Sequence, residues 1–185
     1  MHSLLRYCLP LLLLTFGFQP AAHAASAKQI DAEVDATLEK FYKEVGSGKA
    51  LVGKADGVLV FPSVIKAGIG VGGEYGEGAL RIGGKTVDYY NTASASIGLQ
   101  LGAQSKSVIL IFLDRQALEA FRKSDGWKAG VDGSVALVKL GAGGALDTNN
   151  IKEPIVGFVF GQQGLMYNLT LEGSKFTKMD KAGLQ

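Results

Sequence analysis

The chain has 185 residues, with 19 Lys and Arg against 17 Asp and Glu and a formal net charge of +2, too small a balance to draw in nucleic acid over a distance. Its one cysteine, Cys8, and both histidines, His2 and His23, fall within the first 24 residues. A chain without that stretch has no disulfide, no histidine general base, no Cys-His or Ser-His-Asp nucleophile and none of the usual zinc ligand sets.

Residues 1–24 have the pattern of a secretory signal: Arg6, an apolar run over 9–18, and the small residues Ala22 and Ala24 at a cleavage point. The run is shorter than the roughly 20 apolar residues a membrane-spanning helix needs. Removal of this segment would shift the charge balance from 19 against 17 to 18 against 17. The product is expected to be exported, periplasmic in a Gram-negative cell, and soluble or peripheral at the outer membrane. Cys8 precedes the apolar run, away from the position of an acylated cysteine.

From 26 to 45, Ile30, Val34, Leu38, Phe41 and Val45 recur at spacings of three and four, which predicts one amphipathic helix. Its polar face holds Lys28, Lys40 and Lys43 against Asp31, Glu33, Asp35, Glu39 and Glu44. Membrane-surface helices favour basic faces, so this one is expected to pack on a core. Gly46 and Gly48 end it, and a short second helix is expected near 49–55, completing a helical segment over 26–55.

Strand patterns fill the β-rich remainder, 57–173: 57–61 closed by Pro62, then 69–75, 79–82, 87–91, 94–104, 108–113, 134–140, 156–160 and 165–171. One interruption, 114–123, opens on the capping-type Asp114 and places Ala117, Leu118 and Phe121 on one side, the pattern of a helix lying on the sheet. The polar stretch 147–154 is expected to be a loop. The fold class is therefore α+β: a mainly antiparallel, glycine-rich sheet, sandwich or barrel-like, with an N-terminal helix and one helix packed on it, in a single domain over 25–185.

Between Lys66 and Gly78 lie Gly68, Gly70, Gly72, Gly73, Gly76 and Gly78 in strand-like sequence. Glycine weakens a strand, so such a run marks bends or a second surface approaching the backbone closely. Residues 68–73 spell G-x-G-x-x-G, but a dinucleotide site needs a helix to follow, and Glu74 to Gly78 is no helix start. Residues 79–86 nearly spell a phosphate-binding loop; Gly83 and Gly84 are better explained as a hairpin turn. Glu74 and Glu77 fall on opposite strand faces, which argues against a paired-carboxylate site. Asp147, Asn149 and Glu153 match no calcium-loop spacing, and Asn168 to Thr170 is a glycosylation sequon by letters alone. No cofactor is implied.

The blocks 50–62, the glycine run, 98–104, 108–113, 118–121 and 164–173, in that order, resemble the SYLF domain family. The resemblance implies a lipid-binding domain that meets phospholipid, through anionic or phosphoinositide-like headgroups, at a membrane surface. Relatives that bind actin supply the second reading, a protein-interaction module acting on an envelope protein partner. Where many members carry a tryptophan, serine and proline cluster, this chain has 87–92, and no attached SH3 or zinc-finger module is expected. On this resemblance Lys49, Lys54, Lys66, Arg81 and Lys85 are expected to converge as a headgroup patch. Tyr75, Tyr89, Tyr90 and Trp127, near expected strand ends or loops, are candidate interface aromatics, and the six glycines are the close-approach surface. An integral outer-membrane barrel fits less well, because 108–113 is continuously apolar and a helix interrupts the strands.

Overall fold

The computed structural model describes residues 25–139, 152–164, 171, 173–180 and 184. The expected leader, most of the 147–154 loop with Asp147 and Asn149, the sequon and nearly all of the 165–171 strand lie outside them. Helices α1 (Ala27–Glu44) and α2 (Gly48–Lys54) lead into strands β1 (Gly57–Ile82) and β2 (Lys85–Phe112). Helix α3 (Arg115–Lys123) and strands β3 (Trp127–Lys128), β4 (Ala136–Lys139), β5 (Ile155–Gly164) and β6 (Lys175–Lys178) follow. The fold is α+β, with one curled, mostly antiparallel sheet.

The Asp114 carboxylate caps α3 as expected, accepting from Ala117 N at 2.8 Å, and the Ser26 hydroxyl caps α1, accepting from Gln29 N at 3.3 Å. Ile30, Val34 and Phe41 of α1 are buried, and Phe41 meets Phe158 edge-on at 4.9 Å between ring centres.

β1 and β2 form one long hairpin closed by Gly83 and Gly84, whose φ angles of +58° and +77° suit the two-residue turn that matches strand twist. β2 pairs with β1 along one edge and with β6 and then β5 along the other, while β4 adds to β5 in parallel. That parallel pair, and the short strands β3 and β6, are departures from the expected strand series.

Pro62 does not close a strand. The register slips between Phe61 and Val64, so Pro62 sits in a bulge where no ladder donor is required, and the Ser107 hydroxyl donates to its carbonyl at 2.8 Å. The slip also sets which residues face inward: Leu59 and Phe61 before it share a core with Val64 after it.

Both faces of the hairpin's first third are covered. Leu59, Phe61, Leu110 and Phe112 pack with Leu118 and Phe121 of α3, while Val58, Val60, Ile109 and Ile111 pack with Ile30, Val34 and Phe41 of α1. Cover on both faces explains the unbroken apolar run at 108–112: a strand reads as alternating only when one face meets water.

Candidate functional site

Beyond that core the ribbon bends. Ile69 pairs with Leu101 but Val71 pairs with Ile97, so β2 carries extra residues opposite Gly70, and β1 turns back over itself. The glycines record how close the two limbs come. A Cβ on Gly68 would lie 2.4 Å from Gly72 Cα, one on Gly76 2.7 Å from Ser63 O, and one on Gly78 2.1 Å from Val60 O. The surface approaching this part of the ribbon is the chain's own backbone. Gly73 differs: a Cβ there meets only Ser94 O at 3.7 Å.

Strand alternation and the fold-back together gather polar side chains that are far apart in sequence. Val64, Lys66 and Gly68 share the inner face of one limb with their register partners Lys106, Gln104 and Gly102. Glu74 comes from the other limb. Lys66 Nζ lies 3.3 Å from Glu74 Oε1, and Lys106 Nζ 2.8 Å from Glu74 Oε2. All are buried, with exposures of 4% for Lys66, 2% for Lys106, 9% for Glu74 and 4% for Gln104. Lys106 Nζ approaches the carboxylate closely but at an angle unsuited to a hydrogen bond, and Gln104 Nε2 donates to nothing.

The outside of the same limbs has the opposite character. In 63–76 and 92–107 the charged residues are Lys66, Glu74 and Lys106, and all three are turned inward. Outward stand Ile65, Val71 and Tyr75, 57%, 65% and 50% exposed, among Ala, Ser and Gly. The Tyr75 hydroxyl donates to Glu77 at 2.7 Å, and burial together with that hydrogen bond pushes the phenol up to about 12.

The five basic residues expected to converge are divided between the two ends of the ribbon. Lys66 lies inside the bend. The turn at Gly83 and Gly84 returns to the base of the hairpin, where it lines a groove of about 470 Å³ with Arg81, Gly57 and Gly53 of α2. Arg81 is occupied there: its guanidinium lies 2.9 Å from Asp35 and 3.6 Å from Asp31 of α1. The Thr86 and Tyr89 hydroxyls donate to the same Asp31 carboxylate at 2.6 and 2.9 Å. The acidic face of α1 thus fastens the helix to the sheet. Lys49, Lys54 and Lys85 are exposed.

Trp127 is not at a surface: it is buried against Phe121 and Phe176, with ring centres 5.5 and 5.9 Å away. Tyr89 and Tyr90 are buried as well. Sequence reasoning missed Gln104 and Lys106. The available signal was parity, since both lie on the alternation face of Val108 and Leu110 and so belong to the inside.

Residues 93–183 match the Ysc84 family model, described as Las17-binding protein actin regulator. The match, over 91 of the 185 residues, agrees with the SYLF resemblance of the sequence blocks. The matched stretch starts within β2 and includes Gln104 and Lys106, whereas the glycine-rich β1 precedes it. No curated protein matches the chain.

Proposed function

We propose that this chain is a non-enzymatic, exported lipid-binding protein that seats the bend of its ribbon on a phospholipid surface. The observation that carries the proposal is the inversion of polarity at the bend: every charge between 63 and 76 and between 92 and 107 is inside, and the side chains described on the outside are apolar or small. In water an exposed end of this kind is costly, whereas at a lipid interface aliphatic and tyrosine side chains gain and charges lose. The leader pattern at 1–24 supports export to the periplasm, with a peripheral position on the outer membrane.

The test is co-sedimentation of the protein with phosphatidylcholine and phosphatidylglycerol vesicles at low and high salt. Replacing Ile65, Val71 and Tyr75 together by Ser should weaken binding at least tenfold, while neutralising Lys49, Lys54 and Lys85 to Gln should change it less than threefold. Wild-type protein that stays in the supernatant with both vesicles would overturn the proposal. It would favour instead an envelope protein partner, in keeping with the binding role in the family's description.

A further inference from the structure

Inside the bend, two ammonium groups, Lys66 and Lys106, face one carboxylate, Glu74, so the cluster carries a local charge of +1 away from water. A buried charge without a counter-charge is strongly unfavourable, and so is a buried donor without an acceptor. This cluster has both: Lys106 Nζ lacks an aligned acceptor and Gln104 Nε2 lacks any. Gln104 is the register partner of Lys66 and lies two residues from Lys106 on the same strand face. What the cluster lacks is one negative charge carried on acceptor oxygens.

We propose that Lys66, Lys106 and Gln104 form a binding site for the monoanionic phosphate of a phosphodiester, resting on the membrane reading above. A diester phosphate brings one negative charge, which neutralises the cluster, and two non-bridging oxygens that accept charge-assisted hydrogen bonds from the ammonium and amide donors. A phosphomonoester, at about −1.5 to −2 near neutral pH, would exceed that charge beside Glu74. Toward the base, the next inward residues of β1, Val64 and Phe61, belong to the apolar core, so in this proposal the ligand enters from the bend. There Gly68 and Gly72 meet through backbone alone, and entry requires the two limbs to part at that contact.

The experiment is calorimetric titration of the protein with glycerophosphoglycerol, a soluble diester, and with inorganic phosphate, alongside flotation with phosphatidylglycerol vesicles. Wild type should bind the diester at least tenfold more tightly than phosphate. Lys106→Met, which leaves Lys66 and Glu74 as a balanced pair, should lose at least tenfold in diester affinity, and Glu74→Gln should gain several-fold. If Lys106→Met does not fold, Gln104→Met, which removes only the amide, carries the same expectation of loss. Equal diester affinity in wild type and both loss variants, or a preference for inorganic phosphate, would overturn the site. Wild type that binds vesicles but no soluble diester also overturns it, and leaves the membrane reading standing. Diester binding that Lys106→Met abolishes, in a protein that ignores vesicles, supports the site and overturns the membrane reading.

Discussion

The two halves of the β1–β2 hairpin are built from the same pair of strands and obey opposite rules. Near the base, 57–61 and 108–112 are apolar on both faces and covered on both, by α1 on one side and by α3 on the other. Over 63–76 and 92–107 the ribbon is rich in glycine, alanine and serine, buries its three charged residues, Lys66, Glu74 and Lys106, and exposes Ile65, Val71 and Tyr75. The bend retains unmet polar demand inside and unmet apolar surface outside, the combination expected where a protein gives up stability for binding.

The largest effect should come from the base. Phe112→Ala removes a fully buried ring in contact with Phe121 and should cost about 3–5 kcal/mol in urea unfolding. Within the ribbon, two glycines separate backbone contact from mere composition. Gly78→Ala drives a methyl into the Val60 carbonyl and should cost about 1–3 kcal/mol or more, whereas Gly73→Ala, which meets only Ser94 O at an ordinary contact distance, should stay within about 0.5 kcal/mol of wild type. Equal costs at the two positions would refute the fold-back.

Asp88 connects the core to pH. Burial acts to raise its pKa, but hydrogen bonds and ion pairs from Lys178 and Arg122 outweigh burial and hold the carboxyl below the ordinary range. A carboxyl whose folded pKa lies below its unfolded value of about 3.9 stabilises the protein above that pH, and loses the contribution as pH falls through the folded value. Urea midpoints should therefore drop below about pH 4 in wild type, with a shallower drop in Asp88→Asn. A modest loss is expected at the α3 cap: Asp114→Ala should cost about 1 kcal/mol through loss of the bond to Ala117 N, with vesicle binding unchanged.

Local signals made the helices legible. The spacing of Ile30, Val34 and Phe41 and the cap at Asp114 depend only on neighbours a turn away, and α1 and α3 formed where those signals lie. The turn at Gly83 and Gly84 was equally local. Pro62 was misleading because a bulge is a strand setting that tolerates proline, and a bulge depends on the partner strand. The parallel pairing of β4 with β5 has no local signature at all.

The candidate site was half legible. The glycines announced close approach, but not that the approaching surface was β1 itself. Lys66, chosen from sequence as an exposed headgroup ligand, is buried because the fold-back sets Glu74 against it. Arg81 is held because α1 lays Asp31 and Asp35 beside it. Both outcomes follow from long-range packing that spacing along the chain does not encode.

The central claim, that the outside of the bend enters a lipid surface, is tested most directly by an indole placed there. In Val71→Trp, phosphatidylglycerol vesicles should shift the new indole's emission to shorter wavelength, and brominated acyl chains should quench it, while Trp127, buried against Phe121 and Phe176, responds to neither. Vesicle binding without any change in that emission would place the contact elsewhere on the protein and contradict the account.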